Sequence, residues 1–378
     1  MLRNSGFRIA TVAGIPISVD LSFFVSFVLI TSIFGLSILP NAVDPDPSTL
    51  TTILLSLLAG LVFFASLLLH ELAHSILARA YGLHVRGITL FLLGGISQIT
   101  EESKSAFQEF LIAFVGPLMS AVLSGIFFGI YYLSGAGDSS LAAVVFWLGF
   151  VNALLAAFNM LPGFPLDGGR VFRSVLWGLT GSRTRSTRYA ARVGQVVGAG
   201  IACLGVVSLL IDFGSGGFGG FWMILIGGFL YNGAAQSHRM ASAEERLDRV
   251  RVRDVMSTQL RTVEANTGLR WLAPQRDRID HNAAYLIMED ETVVGILTGA
   301  QIAILDEQEY LHGTARDVMV GADAFAPIDP SATGHEALER LQESRTQVLP
   351  VVEDGRLLGL VGLEQMLTAL RGGQPTPA

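Results

Sequence analysis

The chain has 378 residues, of which 51% are hydrophobic and only 15% charged, with a mean hydropathy of +0.52. Those values exclude an ordinary soluble enzyme of this length and predict a polytopic membrane protein. A formal net charge of -7 leaves no basic surface for nucleic acid. The single cysteine, Cys203, lies in an apolar run, which excludes intramolecular disulfides and cysteine zinc sites.

Arg3 and Arg8 precede the uncharged stretch Leu21 to Leu39, which is longer than the apolar core of a signal peptide and lacks a small-residue cleavage site. It reads as a retained span. Five further runs are long enough to cross a bilayer: Leu50 to Leu69, Phe110 to Leu133, Leu141 to Leu161, Val193 to Ile211 and Phe213 to Ser237. Arginines and lysines gather before the first span and after the second, fourth and sixth. The alternate turns, Pro40 to Thr49, Ser134 to Ser140 and Asp212 to Gly220, carry none. By the positive-inside rule this is a multi-pass protein of a plasma or inner membrane with both termini in the cytoplasm.

The second span ends in His70-Glu71-Leu72-Ala73-His74. Two histidines four residues apart on a helix differ by roughly 40° in azimuth, so both rings can meet one ion. Glu71 is offset by about 100°, close enough to act on a water at that ion without being a ligand. Three ionisable groups at membrane depth are costly unless they serve a site. The next segment, Val85 to Thr100, is too short to cross as a helix. Its β-branched and apolar residues flank Gly94-Gly95, a pattern that predicts a β-hairpin turning at the two glycines. Such a hairpin must be covered by protein, line a cavity or lie at the membrane interface.

The fourth span runs into Asn159-Met-Leu-Pro162-Gly-Phe-Pro165-Leu-Asp167-Gly-Gly-Arg170. Two prolines and three glycines there break the helix, as happens where a cavity must be lined. Asp167 is expected on irregular backbone. Alone it would be taken for a helix cap. Beside two histidines it is the membrane-depth carboxylate best placed to be the third zinc ligand, with a fourth position left for water.

After His238 the composition becomes charged. Ala241 to Arg253 reads as a linker helix, and an internal repeat follows: Arg253-Asp-Val-Met256 recurs as Arg316-Asp-Val-Met319, and Val293 to Thr298 is echoed by Leu357 to Gly362. Each unit predicts a short strand, an amphipathic helix (Ala332 to Glu343 in the second), two strands ending at or near a glycine, and another helix. Units this small are expected to pack as a pair, with a frayed tail after them.

Taken together, the HExxH motif on one span and Asn159-x-x-Pro162-x-x-Pro165-Leu-Asp167-Gly-Gly after a later one resemble the site-2 protease family of intramembrane zinc metalloproteases. The repeat resembles a pair of cystathionine-β-synthase (CBS) domains. The resemblance implies one Zn2+ per chain on His70, His74 and Asp167, with Glu71 as catalytic base. It also implies Asn159 and Asn152 as substrate contacts and Gly94 and Gly95 in a substrate-binding hairpin.

The fold expected is membrane α-helical, with six transmembrane helices and a short membrane-associated β-hairpin, followed by an α+β tandem CBS domain. The divisions are residues 1–240 for the membrane domain, 241–251 for a linker, 252–312 and 313–372 for the two CBS domains, and 373–378 for a disordered tail. The partners implied are a single-span membrane protein substrate, membrane lipid, a second copy joined through the CBS domains, and an adenine nucleotide at the CBS pair. CBS domains that bind nucleotides typically follow the second paired strand with Thr/Ser-x-x-Asp. Here the residues are Thr298-Gly-Ala-Gln301 and Gly362-Leu-Glu-Gln365, which favours a structural, dimerising or protein-contacting role. A CBS-regulated transporter or channel would also join spans to such a tail, but it should show repeated membrane halves and a polar pathway. A proteolytically inactive scaffold would have lost the ligand set.

Overall fold

The computed structural model describes residues 6–43, 47–92, 94–137, 139–211, 218–258, 260–270, 284–290, 292–298, 301–302, 305, 312–321, 327–344, 348–354, 356–363 and 365–366. Its contacts divide the chain into two units, Met1–Ala241 and Ser242–Ala378.

The first unit opens with two strands that the sequence pattern did not disclose, β1 (Phe7–Val12) and β2 (Ile15–Val19), joined by a tight turn at Ala13 and Gly14 with φ of 49° and 74°. β2 then pairs in parallel with β3 (Val85–Phe91), which pairs antiparallel with β4 (Gly94–Ile99), giving a sheet in the order β1-β2-β3-β4. Alternate residues of β2 are buried. Ile15, Val19, Ile88 and Leu90 form one core with Phe64, Leu67, Leu72 and Ile112 of the helices. The turn between β3 and β4 corrects the expectation for Gly94 and Gly95. Both already lie in β4, opposite Phe91 and Leu90, and the reversal falls before them.

Five helices among the described residues are long and apolar enough to cross a membrane. They are α1 (Leu21–Ala42), α2 (Thr49–Ala80), α3 (Ala106–Leu133), α4 (Ser140–Asn159) and, after a shorter helix α5 (Asp167–Thr180), α6 (Arg183–Ile211). The expected sixth span falls in α7 (Phe218–Arg249), a helix that is not among the five. Gly227, Gly228, Asn232, Gly233 and Gln236 dilute its apolar character, and its start adjoins residues outside the described ones. Asp167 is likewise corrected: it is the first residue of α5, not part of an irregular loop, because the helix restarts two residues after Pro165.

In the second unit, the stretch expected as a separate linker helix continues α7 as far as Arg249 and is followed by the single turn α8 (Val252–Val255). β5 (Arg261–Glu264), β6 (Ala284–Glu289), β7 (Thr292–Thr298) and β8 (Val320–Gly321) form one sheet. β9 (Val348–Glu353) and β10 (Arg356–Gly362) form another. α9 (Ala315–Val318) and α10 (Gly334–Ser344) accompany them. Leu286 and Ile296 of the first repeat pack with Val348 and Leu360 of the second, so the two repeats share a core. The amphipathic helix and closing helix of the first repeat, and the tail, fall largely outside the described residues. Gln301 Oε1 accepts hydrogen bonds from the amide and hydroxyl of Thr298 at 2.8 and 2.9 Å, and Gln365 Oε1 accepts from the amide of Gly362 at 3.1 Å. Both glutamines are therefore hydrogen-bonded to the end of the strand that precedes them.

α9 begins with a capping box in which Asp317 accepts from the amide and hydroxyl of Thr314, both at 2.8 Å. Those hydrogen bonds hold the Asp317 carboxyl below its usual range. A carboxylate depressed on folding stabilises fully above its unfolded pKa of about 3.9, and the contribution is lost as pH falls through the lower folded value. Amide protection of residues 312–321, with exchange measured relative to the intrinsic rate at the same pH, should accordingly fall below about pH 4. In Asp317→Asn the protection should already be lower at neutral pH and change less on acidification. Equal protection of that segment in both proteins at neutral pH would remove the cap from the account.

Candidate metal centre

α2 carries His70 and His74 one turn apart on its buried face, 2% and 4% exposed. α5 brings Asp167 up to them. His70 Nε2 and His74 Nε2 each stand 3.1 Å from Asp167 Oδ2 and 3.3 Å from one another. The structure thus gathers His70, His74 and Asp167 into the one group of three metal-ligating side chains among the described residues.

What the three atoms can bind follows from their partners. His74 Nδ1 lies 2.6 Å from the carbonyl oxygen of Ile112. A carbonyl only accepts, so Nδ1 carries the proton and Nε2 presents a lone pair. His70 Nδ1 lies 2.9 Å from Ser120 Oγ, which can accept in the same way. Second partners of this kind fix the ring orientation of metal-binding histidines. Two imidazole lone pairs and a carboxylate oxygen so close together repel unless a cation sits among them. A tetrahedral zinc with arms of about 2.0–2.1 Å has ligand atoms roughly 3.3 Å apart. The spacings of 3.1 to 3.3 Å fit that ion, and the nitrogen and oxygen donors fit zinc chemistry.

α3 passes directly over the site, and it can do so because residue 116 is glycine. A Cβ there would run into His74 Nε2 and come within 2.8 Å of His70 Nε2. Pro117 follows, removing a helix donor and crowding the preceding turn, where the Ile112 carbonyl takes its bond from His74. The break before α5 is packed as tightly. Cβ atoms at Gly168 and Gly169 would meet the backbone of Met160 and of Phe164 at 2.5 Å, so the glycines after Asp167 let α5 start against the end of α4.

Glu71 sits beside the ligands without joining them. Its Oε2 accepts from Ser97 Oγ of β4 at 2.7 Å, and Ser97 is itself bonded by Ser75 Oγ at 3.1 Å. Gly95 of β4 lies against Glu71, where an added Cβ would approach its Cγ to 2.6 Å. Gly94, with φ of 141°, faces open space. Neither asparagine hydrogen-bonds to this group. Asn159, half-buried at the end of α4, donates to the Leu155 carbonyl at 3.1 Å. Asn152 is 1% exposed, donates to the Leu148 carbonyl at 2.8 Å, and leaves its Oδ1 unpartnered among the described residues. Sequence reasoning missed Ser97, Ser120, Ile112 and Gly116. For the last, the Gly-Pro pair inside an apolar span was the available signal.

A model of peptidase family M50 matches residues 58–138 and 134–203, and a model of the CBS domain matches residues 315–372. The chain is 32% identical over 380 residues to the "Putative zinc metalloprotease Rip3" of Mycobacterium tuberculosis, covering 97% of this chain and 94% of the relative. It is 30% identical over 376 residues to a Synechocystis protein of the same description, covering 97% and 96%. A zinc metalloprotease of Methanocaldococcus jannaschii is 27% identical over 370 residues, covering 97% and 96%. Among solved structures, the site-2 protease from Methanocaldococcus jannaschii superposes with a TM-score of 0.42 at 27% identity, covering 62% of this chain and 95% of that one.

Gly116→Ala should place a methyl group where the two imidazoles meet. Zinc affinity, measured by competition with a chelating dye, should fall by about ten-fold or more. Affinity within two-fold of the parent protein would show that α3 does not confine the site.

Proposed function

The chain belongs to peptidase family M50, and from that premise we propose that it is an intramembrane zinc metalloprotease that hydrolyses a peptide bond in or near a transmembrane segment of a single-span membrane protein. The observation that carries this reading is the convergence of His70 Nε2, His74 Nε2 and Asp167 Oδ2 within 3.3 Å, with Glu71 alongside, on a helix apolar enough to span a bilayer. The reading includes six spans, the sixth in α7. Both termini face the cytoplasm, as the arginine-free alternate turns support.

His70, His74 and Asp167 would hold one zinc ion per chain, which supplies a water of lowered pKa and a Lewis acid for the scissile carbonyl. Glu71 takes the proton from the attacking water and returns it to the leaving amine. Ser97 holds Oε2 of that carboxylate and leaves Oε1 to the water. A transmembrane helix hides its carbonyls in internal hydrogen bonds, so the substrate must unwind before it can be cut. Among the described residues β4 pairs only with β3, which makes it a sheet edge, and it lies against Glu71. An unwound segment adds there as a further strand along Gly94 and Gly95, with Gly94 leaving room for its backbone. The unpartnered Oδ1 of Asn152 and the half-buried Asn159 are the substrate contacts in this reading.

The CBS pair acts as a regulatory or dimerising module. Gln301 and Gln365, already bonded to Thr298 and Gly362, support a structural contact over ribose recognition.

Glu71→Gln should keep zinc at the level of the parent protein and lower cleavage of a model transmembrane peptide by about 10²-fold or more. Cleavage at the parental rate would overturn the general-base assignment. Chelator-resistant cleavage by the parent protein would overturn the metalloprotease reading.

A further inference from the structure

Among the described residues, Glu109 is the one acidic side chain that the mechanism leaves unused although it is fully buried, at 0% exposure, in the first turn of α3. It pairs with Arg173 of α5, and the Nε of Arg170 stands 4.0 Å away. Arg173 also lies over the ring of Phe164, 5.1 Å from its centroid, in the break that leads to Asp167. The two arginines follow Asp167 by three and six residues on the same short helix. α5 has no side-chain cap at its start; its glycines pack it against the end of α4 and the break, and these ion pairs tie it to α3.

Position along α3 is what gives Glu109 its meaning. Glu109, Ile112, Gly116 and Ser120 are spaced by three, four and four residues, which puts them within an arc of about 80° on one helix face. Ile112 and Ser120 fix the two imidazoles, and Gly116 admits them. Glu109 occupies the same stripe and grips the helix that delivers the third ligand. A buried ion pair contributes little net stability, because desolvation offsets attraction, but it is directional and costly to leave half-made. We propose that Glu109 is a positioning residue for the metal centre, acting through Arg173 and Arg170 to set α5, and with it Asp167 Oδ2, against His70 and His74. α3 would then align all three ligands from a single face. This inference rests on the zinc reading above.

The test uses the full chain purified in detergent and stripped with chelator, then titrated with Zn2+ against a chelating dye and with Co2+ for its visible absorption. Glu109→Gln should lower zinc affinity about ten-fold or more and weaken or shift the cobalt bands. Glu109→Asp should recover most of the affinity. Glu102→Gln, which breaks the pair of the exposed Glu102 with Arg183, should stay within two-fold of the parent. A general loss of stability would not produce that pattern, because the cobalt bands report ligand geometry in the molecules that bind. Where Glu109→Gln does not purify folded, Arg173→Gln tests the pair from its other side with the same expectation. Parental zinc affinity and cobalt bands in whichever variant is measured would overturn the proposal, as would an equal loss in Glu102→Gln. Failure of the parent protein to bind zinc would instead overturn the zinc reading itself.

Discussion

Three electron-pair donors held 3.1 to 3.3 Å apart in a protein interior repel one another unless a cation lies between them, and much of the first unit serves to hold them there. The helix period brings His70 and His74 to one face. Their outer nitrogens are committed to Ser120 and to the Ile112 carbonyl, so neither ring can turn away or change tautomer without losing a buried hydrogen bond. Asp167 arrives from a separate helix, nearly a hundred residues later, across a break built of prolines and glycines. A divalent ion repays the burial of the carboxylate and relieves the crowding of lone pairs.

The surrounding architecture follows from that requirement. α3 must come close enough to supply partners to both rings, which residue 116 permits only as glycine. The sheet must come close enough to place Ser97 on the Glu71 carboxylate, which Gly95 permits. Arg79, in the last turn of α2, donates to the Ala13 carbonyl at 2.5 Å and ties the β1–β2 turn to the end of the helix that bears the motif. The edge at β4 therefore has a fixed place beside Glu71. In the proposed function that arrangement answers the difficulty of cutting a transmembrane helix, since the sheet edge offers hydrogen bonds to a backbone that has given up its own.

What was legible in the sequence was whatever depends on period and on residue chemistry. HExxH announces its own geometry because one helical turn suffices to bring its residues together. Asp167 was recognisable from its chemistry amid prolines and glycines, although its backbone was misjudged, since nothing local shows that a helix restarts at that residue. β1 and β2 escaped notice because the basic N-terminus invited comparison with a leader, and β2 shows its alternation only when paired with β3, some seventy residues on. Gly94 and Gly95 were taken for a turn when both lie in β4, where Gly95 permits the close approach of Glu71. Ser97, Ser120 and Ile112 are ordinary residues whose roles exist only through the register of packed helices and strands.

X-ray absorption at the zinc edge of the purified chain reads out whether His70, His74 and Asp167 together bind zinc. The expected spectrum is that of a single zinc with two imidazole nitrogens and two oxygen ligands at about 2.0–2.1 Å, one oxygen from the carboxylate and one from water. A zinc shell lacking the pair of imidazoles, or a chain that retains no zinc, would contradict it.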